Sequence, residues 1–317
     1  MPSEEPTLLE LEARCERGDA EAQYILGKKY YEGDGVPQDY DRAADLLRTS
    51  AEAGDAAAQY TYGYMCCYGI GVPVDKIAAI RWYRKSANQG YVEAQYGLGY
   101  MCDMGEGVKV NKMEAAKWYL LAADKGHAGA QCNLGNLYFN GYGVRRDKQE
   151  AFRLYRASAN QGNVDALFNL GRIYETGDGV EQNDEVALRF YQEAAVRGDA
   201  HSMFNLGVRY MTGNGVRVDV PLAEKMLAAS ARKGNDEALY LLGTMYYSGT
   251  GVERSLETAA KLFEKASFQW NDQAIYSLGL LYIKGEGIAK DERRGIGLIK
   301  LAAELGNEEA ISFLAAR

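Results

Sequence analysis

Histidine is scarce in this chain: His127 and His201 are the only two among 317 residues. Imidazole is the usual general base and metal ligand near neutral pH, so either chemistry has only these two places to begin. No cysteine or carboxylate cluster stands at metal-ligand spacing from either one. We therefore expect no metal, no cofactor and no catalytic centre. Proline is rare as well, with five residues against 36 glycines. That excludes proline-rich linkers and points to short, defined turns. The five cysteines, Cys15, Cys66, Cys67, Cys102 and Cys132, are odd in number and irregularly spaced, unlike a secreted disulfide framework.

Positive charge is in deficit: 36 Lys and Arg face 44 Asp and Glu, for a net charge of −8. Nucleic-acid binding needs a basic stripe that displaces counterions from phosphates, and none is present. No apolar run approaches the roughly 18 residues that cross a bilayer, so membrane insertion is not expected. The start, Met1-Pro2-Ser3-Glu4-Glu5, lacks a basic stretch followed by an apolar one. This favours a cytoplasmic location, or a periplasmic or secreted one if a leader has been removed.

What the chain does have is a ruler. Gly27, Gly63, Gly99, Gly135, Gly171, Gly207, Gly243 and Gly279 stand 36 residues apart without insertion or deletion. A fixed period of this size marks a repeat array whose units bury their apolar faces by stacking on neighbours. With 47% hydrophobic and 25% charged residues, the composition is that of an ordinary soluble protein able to fill a long core.

Within one unit, Asp19 can cap a helix A in which Ala22, Leu26, Gly27 and Tyr30 share one face. Gly33-Asp34-Gly35-Val36 ends it, because glycine suits the left-handed position beyond a helix. A second cap column, Asp39, Asp75, Asn111, Asp147, Asn183, Asp219, Ser255 and Asp291, starts each helix B. The alanine column from Ala22 through Ala310, with Ser202, stays small. It is expected to face bulky pairs such as Trp82-Tyr83 and Trp118-Tyr119. Cys66 and Cys102 replace the tyrosine of the Tyr30 column and read as core thiols. Gly295 and Gly297 fall inside the last helix B, where glycine weakens a helix by about 1 kcal/mol each, so fraying is expected there.

Ala94-Gln95-Tyr96-Gly97-Leu98-Gly99, Gly105-Glu106-Gly107-Val108 and the run from Ala115 to Ala123 resemble Sel1-like repeats, relatives of the tetratricopeptide repeat. The resemblance covers residues about 18–317. It implies an all-α fold, an α/α solenoid of about eight 36-residue helix-turn-helix repeats wound into a right-handed superhelix, with A helices on the concave face. We divide this single solenoid into an N-terminal capping helix (6–17), eight repeats (18–305) and a C-terminal half-repeat (306–317). The resemblance further implies a non-catalytic scaffold or adaptor that binds a protein or peptide, expected as a monomer.

An alternative is a β-lactam-binding or hydrolysing enzyme, as some Sel1-like proteins have been linked to β-lactams. Ser230-Ala231-Arg232-Lys233 has the Ser-x-x-Lys spacing of penicillin-recognising enzymes. The supporting Ser-Asp-Asn and Lys-Thr-Gly motifs are missing, and Ser230 falls in a small-residue column with Ser50, Ser86 and Ser158. Packing explains the match.

The expected binding surface is the second face of helix A. Its column carries Asn133, Asn169 and Asn205 in three consecutive repeats, with Asn136 nearby. An amide offers donors and an acceptor and can hold an extended peptide backbone of any sequence. The same asparagines could instead bond neighbouring helices. Tyr64, Tyr68 and Tyr100, with Met104, would add an apolar pocket, and Arg172 an anchor for a carboxylate. Phe268 and Trp270 make a second candidate interface. Trp270 stands in the closing-glycine column between Gly234 and Gly306, where a left-handed backbone disfavours a side chain.

Overall fold

A computed structural model describes residues 6–316. Every regular element among them is a helix, and the residues cluster into two compact units, Met1–Asn163 and Val164–Arg317. The first unit opens with α1 (Leu8–Glu16). Four A/B pairs follow: α2 (Ala20–Glu32) with α3 (Tyr40–Glu52), α4 (Ala56–Tyr68) with α5 (Lys76–Asn88), α6 (Val92–Met104) with α7 (Lys112–Asp124), and α8 (Ala128–Asn140) with α9 (Lys148–Ala159). The second unit has α10 (Val164–Thr176) with α11 (Asp184–Val196), α12 (Ala200–Thr212) with α13 (Val220–Arg232), α14 (Asp236–Ser248) with α15 (Leu256–Ser267), and α16 (Asp272–Lys284) with α17 (Glu292–Glu304). It closes on α18 (Glu308–Ala315).

The expected starts and stops are in place. All eight residues of the B-helix cap column accept a hydrogen bond from a backbone N–H two or three residues on, supplying the partner a first-turn amide lacks. Seven of the A helices, counting α18, are capped the same way, and Tyr91 at the head of α6 is not. The serine column ties four of the pairs together. Ser50, Ser86, Ser158 and Ser230 donate at 2.6–2.7 Å to the carbonyls of Ala20, Ala56, Ala128 and Ala200. In these pairs the start of the A helix therefore lies beside the end of its B helix, and the pair runs antiparallel.

Two expectations are corrected. The bulky B-helix residues face the glycine column rather than the alanines. A Cβ on Gly99 would meet the Tyr119 ring at 2.7 Å, and one on Gly171 would meet Tyr191 at 2.7 Å. Gly27, Gly63, Gly135, Gly207, Gly243 and Gly279 stand likewise against Leu47, Tyr83, Tyr155, Leu227, Phe263 and Ile299. Glycine is needed there because real Cβ atoms do not approach so closely. The alanines, fully buried, fill the rest of the core.

The second correction concerns the last pair. Helix α17 runs unbroken, and Gly295 is buried, with its missing Cβ 2.6 Å from the Gly279 carbonyl oxygen. Two facing glycines let these backbones approach, and that packing offsets the weak intrinsic propensity of Gly295.

Candidate peptide-binding faces

In the first unit the A-helix face is aromatic. Tyr64 and Tyr68, one turn apart on α4, hold their rings 4.4 Å apart. Tyr68 is 60% exposed, and Tyr100 and Met104 on α6 are also exposed. An accessible cluster of this kind presents flat apolar surface with hydroxyls at its edge.

Asn133 and Asn136 follow on α8, both half-buried. The Asn133 Nδ2 donates to the Tyr119 hydroxyl of α7 at 3.1 Å. Tyr119 in turn lies 3.4 Å from Asp103 Oδ2, and Asp103 Oδ1 accepts from Lys112 Nζ at 2.6 Å. Burial, followed by the Asp103 carboxylate, pushes the Tyr119 phenol far above its ordinary value, so it remains a protonated donor. Asn136 differs: its Oδ1 accepts from the Tyr155 hydroxyl at 2.7 Å.

The second unit carries Asn169, half-buried on α10, and Arg172, exposed with its guanidinium 6.0 Å from the Phe168 ring centre. Asn205 on α12 stands beside the Tyr191 hydroxyl, whose phenol burial and Glu175 raise. Tyr191 donates to Glu175 Oε2 at 2.6 Å, and Glu175 Oε1 accepts from Arg209 Nη2 at 2.6 Å. Arg209 also reaches Asp184 Oδ1 at 3.5 Å and the Asn214 carbonyl at 3.3 Å. Its Nε is buried with no partner.

Sequence reading missed these two chains. Their signal lay in the columns: Asp103 and Glu175 interrupt a series of Tyr31, Cys67, Phe139, Met211, Tyr247 and Ile283. Arg209 likewise stands where most repeats place Met65, Met101, Leu137, Ile173, Met245 or Leu281.

The remaining candidates separate by burial. Ser230 is fully buried with its hydroxyl spent on Ala200, as in the other serines of its column, so it is a packing residue with no access to substrate. His127 caps α8 through Nδ1, which accepts from the Ala130 N–H at 3.1 Å, and its ring stacks 4.4 Å from Tyr96. His201 is exposed, 3.4 Å from the Asn235 amide. No group of three or more His, Cys, Asp or Glu able to hold a metal occurs among the described residues. All five cysteines are free, and Cys66 and Cys102 are core thiols. Among the described residues no helix is long and apolar enough to cross a membrane.

Trp270 adopts a left-handed backbone with φ of 65°, alone among the described non-glycine residues. Its side chain is 65% exposed and that of Phe268 77%. Two large rings in solvent, one on a strained residue, gain little within this chain.

Comparison with known proteins agrees with the geometry. The Sel1 repeat family model matches residues 20–55, 56–91, 92–127, 128–163, 164–199, 200–235, 236–267 and 272–307. A protective antigen present in uropathogenic Escherichia coli strains, displaying an SLR fold, is similar at 36% identity with a TM-score of 0.80; the match covers 98% of this chain and 67% of that one. A Sel1 repeat protein from Oxalobacter formigenes is similar at 31% identity with a TM-score of 0.73, over 99% of this chain and 91% of that one. No curated protein sequence matches the chain. Eight repeat matches on antiparallel helix pairs place this chain in the Sel1 repeat family.

Proposed function

We propose that each unit holds an extended segment of a partner protein on its own A-helix face, so that the chain works as a non-catalytic scaffold. Sel1 repeat proteins are generally protein-interaction scaffolds. The observation that carries the finer reading is the repeat column of half-buried asparagines, Asn133 in the first unit and Asn169 and Asn205 in the second. Asparagine is a poor helix former in mid-helix, and amides at a solvent boundary suit a peptide backbone. In the first unit Tyr64, Tyr68 and Tyr100 supply apolar contact, and in the second Arg172 supplies a cation for a partner carboxylate.

Affinity capture with mass spectrometry tests this. Replacing Asn133, Asn169 and Asn205 together by alanine should abolish capture of partners while circular dichroism stays helical. Unchanged capture rejects the assignment. Phe268 and Trp270 form a second contact surface in this reading. Trp270→Gly should raise stability by about 1–2 kcal/mol through relief of the left-handed backbone while weakening capture. A variant that is more stable and captures equally well removes that surface from the proposal.

A further inference from the structure

A tyrosine hydroxyl carries one proton and a carboxylate none, which fixes the direction of both hydrogen-bond chains. Tyr191 gives its proton to Glu175 at 2.6 Å, so its oxygen can only accept from Asn205. Tyr119 faces Asp103 at 3.4 Å and accepts from Asn133 at 3.1 Å. The Asn133 amide therefore turns its NH2 toward the tyrosine and leaves Oδ1 on the other side, and the proton of Tyr191, given to Glu175, calls for the same orientation of Asn205. Neither Oδ1 accepts a hydrogen bond from the described residues, and neither is among the buried polar atoms without a partner. Both are open to solvent.

We infer that Asp103 and Glu175 are positioning residues which, through Tyr119 and Tyr191, present Asn133 and Asn205 as acceptors, so that these faces take a partner by its backbone N–H groups. This rests on the scaffold reading above and narrows it to an extended segment with unpaired amide donors.

The test uses the full chain against an array of random decapeptides and the same sequences with alternate backbone nitrogens methylated. Methylation should cut capture about tenfold, the loss of two or three hydrogen bonds. The double variant Tyr119→Phe, Tyr191→Phe should lose about threefold or more on the unmethylated array, with its circular dichroism unchanged. Side-chain amide hydrogen exchange on 15N-asparagine-labelled protein gives a readout independent of any peptide. Exchange should accelerate at Asn133 and Asn205 in that variant, and at Asn205 in Glu175→Leu. Capture that needs Asn133 and Asn205 yet ignores methylation overturns this inference alone, as does unchanged amide exchange. Absence of any captured peptide overturns the scaffold reading and this inference with it.

Discussion

Tyr119 in the first unit and Tyr191 in the second occupy one column, two repeats apart, and each leans on a carboxylate that is neutralised from a different direction. Asp103 takes its cation from Lys112, at the head of α7, whose side chain is 36% exposed. Glu175 takes its cation from Arg209, inside α12 and 3% exposed. Asp184 stands in the column of Lys112, and Leu137 in the column of Arg209, so the cation comes from a different column in each unit, and in the second Asp184 shares it with Glu175. The lesson is that equivalent repeats can share an interaction without sharing its residues. Burial then sets how much each version matters. A half-exposed lysine is screened by water, whereas a buried guanidinium removed from its carboxylates leaves charge unmatched.

The largest expected effect follows from that contrast. Arg209→Ala should destabilise the second unit by about 3 kcal/mol, and Lys112→Ala the first by about 1 kcal/mol or less. Hydrogen exchange of the α12 and α6 amides under rising urea would read the two separately. Equal losses would break the comparison. Next comes a change that should not distinguish the units. Gly99→Ala and Gly171→Ala each push a Cβ into the partner tyrosine ring and should each cost about 1–3 kcal/mol by overpacking. A clear difference in midpoint between them would show that one tyrosine has room to move and the other does not.

The smallest effect concerns pH. Helix α8 in the first unit is capped by His127, where α14, α16 and α18 in the second use Asn235, Asn271 and Asn307. Burial holds the His127 imidazole below its ordinary value of 6.5, and the cap needs a neutral Nδ1. As pH falls, the unfolded chain takes up the proton first. The contribution of this cap is therefore full above about 6.5 and is lost progressively below it. A decline of about 1 kcal/mol or less between pH 7 and 5 is expected. His127→Asn keeps the acceptor and should flatten the profile; an unchanged slope would remove His127 as its source.

Much of the fold was legible before any coordinates. Asp39 and its column announced every B helix, and the Gly33–Gly35 turn announced where A helices stop. The candidate face was legible only as a column: Asn133, Asn169 and Asn205 stood out, but not what their amides do. Their hydrogen bonds depend on Tyr119 and Tyr191 from the preceding repeat and on acids further back, and no periodic pattern carries that information. The alanine and glycine columns were both visible as small, yet which one meets the large rings could be decided only by helix rotation in the stack.

The sequence by itself determined the period, the caps, the turns and the order of helix pairs, because these rest on contacts within three or four residues of chain. The tertiary structure decided which residues share charge and proton. Arg209 meets Glu175 from 34 residues away, and Asn133 meets Tyr119 from 14. Packing alone brings such groups together.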